Sequence, residues 1–317
     1  MISIIVCSRE VELLNKLKKN ISETIGCAFE IVTIDNSNNH YNIFEAYNLG
    51  VKKSKGEILC FAHEDILFYT NDWGLKLLEH FKLDAQLGLI GTVGSTALPG
   101  APAPWWNRHK VNTHYIHLLQ KWQPGDNIKR WSYNEPYKDT SLIYHKENDT
   151  SQNINQVTSV DGFFMAIPKH LFNHIKFDTD TFDGFHCYDL DICMQVNKAN
   201  YKVAVAHNIL IAHLSSGSVS NHWAEASIVF TTKWKKHLPH SIKQLTIPQK
   251  DNYTNSLLLT FCYWNYKRLS NGTIRQVIFN YLKPSNFFND EEYRILKIWS
   301  HSNYAITRIF NKLFKRK

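Results

Sequence analysis

Apolar residues along the first hundred positions come in two alternating rhythms. Ile2–Cys7, Phe29–Ile34, Ile58–Ala62 and Leu87–Val93 are short apolar runs bounded by turn formers, the pattern of buried strands. Between them, Val11–Ile25 places Leu13, Leu14, Leu17 and Ile21 at helical spacing, and Asn42–Ser54 and Trp73–Phe81 also have helical patterns. Strand–helix alternation of this kind predicts an α/β fold, a mostly parallel sheet with helices on both faces.

The rhythm breaks over residues 97–156. Pro99, Pro102 and Pro104 cluster with Trp105 and Trp106, Trp122 and Trp131 follow, and Asn148–Gln156 is polar. This segment is expected to be a long irregular insertion lying over the functional site. Val157–Ile167 then returns to strand character with Asp161-Gly162 inside it. Leu190–Asn200 is expected to be a helix, and Tyr201–Ala206 and Ile209–His213 closing strands. From about Trp234 short helical segments take over, so a boundary is expected near residue 240, with 1–240 as the main domain and 241–317 as a helical extension. No internal repeat is evident.

Charge changes the picture only at one end. The formal net charge is +8, yet no acid follows Glu292, whereas Arg294, Lys297, Arg308, Lys312, Lys315, Arg316 and Lys317 do. Residues 1–292 carry 29 bases against 28 acids, a nearly neutral body that speaks against nucleic acid as a partner. In the tail, Trp299, Ile306, Phe310 and Leu313 share a helical face, with Ile309 and Phe314 at its margins. This is the pattern of a basic amphipathic helix suited to an anionic membrane surface. The six cysteines form no C-x-x-C pair, as expected in a reducing compartment. Acids follow the first apolar run at once and no run of 18 apolar residues occurs, so the expected location is cytoplasmic, with the tail a peripheral contact.

The candidate chemistry gathers where strands end. The third run stops abruptly in His63-Glu64-Asp65, groups costly to bury, so the strand must emerge there. In open α/β sheets ligands bind outside the carboxyl ends of strands. In an extended segment His63 and Asp65 project to one side and Glu64 to the other. Ser8-Arg9-Glu10 and Asp35-Asn36-Ser37 end the first two runs at the same edge. The first of these loops has no glycine, which disfavours a nucleotidyltransferase.

Several stretches together resemble family-2 glycosyltransferases of the GT-A fold. They are Ile2–Ser8, Val32-Thr33-Ile34-Asp35-Asn36-Ser37, Ala46-Tyr47-Asn48-Leu49-Gly50 leading to Lys55-Gly56-Glu57, Val160-Asp161-Gly162-Phe163-Phe164-Met165, and Phe185-His186-Cys187-Tyr188-Asp189-Leu190-Asp191. The resemblance covers roughly residues 1–220. It implies an inverting transfer of sugar from a nucleotide-diphospho-sugar to a glycan or lipid-linked hydroxyl, in cell-surface polysaccharide or glycolipid synthesis. Ser8, Arg9, Asp35, Asn36, Asn48 and Gly50 would contact the nucleotide, and Asp161 and Gly162 the donor sugar. His63-Glu64-Asp65 stands where the family has D-x-D. Asp65, His63 and the later His213 would hold a divalent cation, Mn²⁺ or Mg²⁺, with imidazole shifting the preference toward Mn²⁺. Asp189 would be the general base and Asp191 its alternative, while Tyr188 stands where the family has a glutamate. Asp189 as a simple helix cap, and the tryptophans as ordinary core residues rather than sugar-stacking groups, are the competing readings. A non-catalytic nucleotide-sugar- or glycan-binding module is the alternative for the whole chain.

Overall fold

In the computed structural model the chain begins with β1 (Ile2–Ser8), α1 (Val11–Thr24), β2 (Phe29–Asp35), α2 (Ile43–Lys53), β3 (Ile58–Ala62) and β4 (Ile66–Phe68). It continues with α3 (Trp73–Leu83), β5 (Leu87–Gly91), β6 (Val93–Ser95), β7 (Ala97–Leu98), β8 (His114–Lys121), β9 (Asn134–Pro136) and β10 (Leu142–Glu147). Then come β11 (Ile154–Val157), β12 (Ser159–Val160), β13 (Phe164–Pro168), α4 (Tyr188–Lys198), β14 (Lys202–Ala206) and β15 (Ile211–His213). The last elements are α5 (Asn221–Lys233), β16 (His240–Ser241), α6 (Ile247–Asn265) and α7 (Gly272–Phe279). The structure describes residues 1–106, 113–121, 134–136, 142–147, 152–215, 220–265, 271–281, 294, 297, 298 and 300.

The main sheet has the order β11-β14-β5-β13-β3-β1-β2. β1 pairs in parallel with β2 and β3, and β14 with β5, while β13 runs antiparallel between β3 and β5. Every residue of β3 and β5 is buried, as continuous apolar runs in a sheet covered on both faces should be. α1 turns Leu14, Leu17 and Ile21 inward. α2 is begun by a capping box, Asn42 accepting from the Glu45 N–H and Glu45 from the Asn42 N–H, which satisfies two otherwise orphaned donors. It turns Tyr47 onto Phe61 and Phe177, at ring-centroid distances of 4.9 and 5.2 Å. Burying an aromatic such as Phe61 stabilises the fold by about 1.5–3 kcal/mol. α2 also comes close to β1 at Gly50, where a Cβ would lie 2.3 Å from Ile5 Cγ2.

A second sheet has the order β12-β6-β8-β10-β9, with β15 joining both β4 and β8. The segment expected to be irregular thus carries ordered strands. β8 and β10 form a six-pair antiparallel ladder, and β8 lies beside β15, with Gln120 opposite His213. Alternation in His114–Lys121 was masked by the prolines and tryptophans before it. The strand expected over Val157–Ile167 is also not continuous. β11 belongs to the main sheet, β12 to the second and β13 to the main sheet again, with Asp161-Gly162-Phe163 as the turn between the last two. Leu87–Val93 divides likewise, β5 in one sheet and β6 in the other.

Two compact units result. One contains Met1–Thr96 and the described parts of 114–217, the other the described parts of 97–113 and 218–317. α5 and the described part of 97–113 go with the later unit. Trp223 of α5 explains this. It packs in one apolar cluster with Ala97, Ala101, Ala103, Leu257 and Phe261. Trp105 is buried and stands edge-on to Trp106, which meets Trp223. Trp105 is thus a core residue of that unit, and Trp106 packs half-buried against its apolar cluster. Trp122 and Trp131, and the tail residues Trp299, Ile306, Ile309, Phe310, Leu313 and Phe314, lie outside the described residues. Among the described residues no helix is long and apolar enough to cross a membrane.

Candidate active site

The first unit brings four chain segments to the carboxyl edge of β1, β2 and β3. β3 ends at Ala62, and His63-Glu64-Asp65 follow before β4 turns away. The His63 N–H donates to the Phe163 carbonyl at 3.0 Å, tying this segment to the turn that precedes β13. The Leu214 N–H donates to the Asp65 carbonyl at 2.9 Å, extending the β4–β15 pairing past His213. Pairing between β4 and β15 is what carries a histidine nearly 150 positions downstream to the end of β3.

His63, Asp65 and His213 make one cluster. His63 Nδ1 is 3.9 Å and His213 Nε2 3.6 Å from Asp65 Oδ1, and one ligand atom from each residue lies within 4.8 Å of the others. Donors bound at about 2.1 Å to one ion stand up to about 4.2 Å apart, so the two separations from Asp65 suit a shared cation. Two imidazoles and a carboxylate are a donor set for a transition ion such as Mn²⁺ rather than for Mg²⁺, which prefers an oxygen shell. Among the described residues this is the one cluster of three such groups. The side chains are only 13–18 % exposed. Burial, then the neighbouring His213, pushes His63 down to about 4, so its ring is neutral and able to ligate. Burial also disfavours the Asp65 carboxylate, but hydrogen bonds and charge from His213, with Ser215 and His63, outweigh it and hold Asp65 well below the usual carboxylate range. Phe163 stacks on the His213 ring, centroids 4.9 Å apart, and Ser215 Oγ lies 3.4 Å from His213 Nε2.

A carboxylate pair adjoins this cluster. Asp161 caps its own turn, accepting from the Phe163 N–H at 3.2 Å. Asp189 sits in the first turn of α4, after Cys187 in a left-handed conformation with φ +66°. Its Oδ1 accepts from the Leu190 N–H at 2.9 Å, so it does satisfy a helix-terminal donor. Part of Asp189 remains in solvent, yet protein crowds its carboxyl. Burial, and next the Asp161 carboxylate, push it up to about 7. Asp161 is raised as well, chiefly by burial, with the charge of His213 opposing. Burial and the Asp161 charge together leave Asp189 a carboxyl that titrates near neutrality. Asp191, the alternative base, is instead buried and accepts from Gln195 Nε2 at 2.7 Å. The helix turns it inward, away from the Asp161–Asp189 pair's exposed side.

The two groups are joined through Gly162 and Tyr188. Tyr188 Oη lies 2.6 Å from His63 Nε2, and a Cβ on Gly162 would stand 2.3 Å from the same oxygen. Gly162 is therefore required by close packing of Tyr188.

The nucleotide-side expectations divide. Arg9 is exposed and its charge is felt at His63. Asp35, exposed at the end of β2, accepts from the Ser37 N–H in an Asx turn. Asn36, by contrast, uses both ends of its amide on Tyr41, at 2.9 Å each, and braces the loop. Asn48 uses its amide on the Phe177 backbone, and Gly50 lies against Ile5. The amides of Asn36 and Asn48 thus brace the scaffold, and Gly50 is a point of close packing. The Ser8 hydroxyl is also engaged, donating to Glu64 Oε2 at 2.6 Å. Glu64 faces away from His63 and Asp65, as alternation requires. It gathers the Arg9 and Glu10 N–H groups, each at 3.0 Å, and so shapes the loop after β1. Sequence reasoning missed this role, and that of Tyr188, because both depend on a partner at least 50 residues away. Phe185, 47 % exposed with its ring 5.5 Å from His63, was likewise unmarked.

Residues 3–236 match the glycosyltransferase-like family. No curated protein matches the chain in sequence. Among solved structures, the chain is similar to S. aureus TarS 1–349 in complex with UDP-GlcNAc, with a TM-score of 0.51 and 12% identity over 94% of this chain and 86% of that one. A second structure of S. aureus TarS 1–349 gives 0.50 and 11% over the same shares. GalNAc-T7 with UDP, GalNAc and Mn²⁺ gives 0.50 and 8%, over 96% of this chain and 55% of that one, so this chain spans about half of that protein's length. These likenesses are of fold, and they make the α/β architecture that of GT-A glycosyltransferases.

Proposed function

This chain belongs to the glycosyltransferase-like family, and from that premise we propose that it is an inverting transferase moving a sugar from a nucleotide-diphospho-sugar to an acceptor hydroxyl. One observation carries the reading. Asp189, raised to about 7, and the His63–Asp65–His213 cluster adjoin one another at one sheet edge, joined by the Tyr188–His63 contact.

Each group then has a task. Asp189 accepts the proton of the acceptor hydroxyl as its oxygen bonds to the anomeric carbon. The bond from that carbon to the diphosphate oxygen breaks on the opposite face, and the nucleoside diphosphate departs with the electron pair. A base near neutrality suits this step. Asp65, His63 and His213 would hold a divalent cation, and when bound it supplies the positive charge that compensates the departing diphosphate. Arg9 adds fixed positive charge on the same side. Asp35 offers a carboxylate to a base or ribose donor, with selectivity for groups that can donate to it. Asp161 keeps Asp189 basic and, beside Gly162, faces the donor sugar. Phe185 offers an exposed ring beside His63, which suits the apolar face of a glycan acceptor. TarS in complex with UDP-GlcNAc, and GalNAc-T7 with UDP and GalNAc, support a UDP-linked donor.

The test is a panel of nucleotide sugars with Mn²⁺, read first by thermal shift and then by nucleoside diphosphate release. A donor at 100 times its Kd should stabilise the fold by about 2.7 kcal/mol. Turnover should stop with EDTA and in Asp65→Ala and Asp189→Ala. A donor that binds but is never consumed, with any acceptor, would leave a binding module instead.

A further inference from the structure

A histidine can ligate a cation through a nitrogen only if that nitrogen carries no proton. The other ring nitrogen must then hold the hydrogen, and a fixed acceptor for it both orients the ring and strengthens the ligand. His63 has such a geometry. Its Nδ1 faces Asp65 Oδ1 at 3.9 Å, on the side of His213. Its Nε2 faces the other way and meets Tyr188 Oη at 2.6 Å.

Tyr188 is held for this contact. Its side chain is 4 % exposed and its ring stands edge-on to Tyr47 at 5.6 Å and Phe44 at 6.3 Å. Gly162 leaves room for the hydroxyl, since any Cβ there would collide with it. A tyrosine fixed on both sides for the sake of one hydroxyl contact is not explained by packing alone, because phenylalanine would fill the same space.

We infer that Tyr188 is a positioning residue that accepts the His63 Nε2–H, thereby leaving Nδ1 free to ligate a divalent cation beside Asp65. The inference rests on the cation reading given above and goes beyond it by assigning the tautomer and its cause. The two positions at which this chain departs from the family's pattern, 63 and 188, are then a single linked change. A carboxylate at 63 has no tautomer to select and needs no hydroxyl behind it, whereas an imidazole does.

The experiment uses the full chain without donor. Mn²⁺ affinity is measured by electron paramagnetic resonance and calorimetry, and the His63 tautomer by ¹⁵N resonance in the metal-free protein. Tyr188→Phe should weaken Mn²⁺ by about 10–100-fold and move the His63 proton off Nε2 in part of the population. In the His63→Asp background the same Tyr188→Phe change should leave Mn²⁺ affinity unaltered. Unchanged affinity and an unchanged tautomer in Tyr188→Phe would overturn the inference, as would equal losses in both backgrounds, which would mark a merely structural tyrosine. The two readings fail differently. Wild-type protein that binds no Mn²⁺ would defeat the cation site itself. Binding lost in Asp65→Ala but intact in Tyr188→Phe would defeat only the role of Tyr188.

Discussion

Replacing Asp189 by asparagine should have two effects of opposite sign. In the unfolded chain this carboxyl titrates at its ordinary 3.8, whereas in the folded protein burial and Asp161 raise it to about 7. A raised folded value means that the group's contribution to stability is fully present below about pH 4 and is lost as the pH rises through about 7. The full shift would correspond to about 4 kcal/mol. Asp189 keeps some solvent exposure and shares its shift with Asp161, so about half of that, ~2 kcal/mol, is the reasonable magnitude. Asparagine keeps an oxygen for the Leu190 N–H but carries no charge at any pH in this range. Urea denaturation should therefore find Asp189→Asn and wild type nearly equal below about pH 4, with the variant gaining as the pH rises and more stable by ~2 kcal/mol at pH 8. Over the same range its turnover should fall by roughly 10²–10⁴-fold, the usual worth of a general base. A variant that is no more stable than wild type at pH 8 would refute the buried, charge-opposed carboxyl. Turnover preserved in the variant would refute the base.

The remaining predictions concern neighbouring groups. Asp161→Asn removes the charge that opposes ionisation of Asp189, so the rising limb of the pH–kcat/KM profile should move toward acid; a limb that stays in place would show that burial alone raises Asp189. Glu64→Gln removes the anion that gathers the Ser8 hydroxyl and the Arg9 and Glu10 N–H groups, and should cost about 1–2 kcal/mol in urea denaturation while raising the donor KM. Gly50→Ala places a Cβ 2.3 Å from Ile5 Cγ2 and should destabilise the fold by about 1–3 kcal/mol, with donor affinity unchanged at a temperature where the variant is folded.

The alternation of apolar runs and helical patterns in the first ninety residues determined the strands β1, β2, β3 and β5 and the helices between them, because local periodicity and burial on both faces agree there. The emergence of charge at His63-Glu64-Asp65 was legible for the same reason. Buried strands cannot tolerate such groups, so they had to mark the sheet edge. Placement of Asp161, Asp189 and His213 at one site belongs to the tertiary structure. β13 runs antiparallel between β3 and β5, and β15 pairs with β4, and no local pattern specifies either pairing. Which amides serve the scaffold was equally hidden. Asn36 bonds Tyr41 five residues on, but Asn48 bonds Phe177 across 129 positions, and both had the residue type expected of a ligand contact. Spacing determined which side chains could meet at the edge. Only the tertiary packing of α4 and the strand pairings beside it decided which carboxylate faces outward, which turns inward, and that a tyrosine hydroxyl stands behind the histidine.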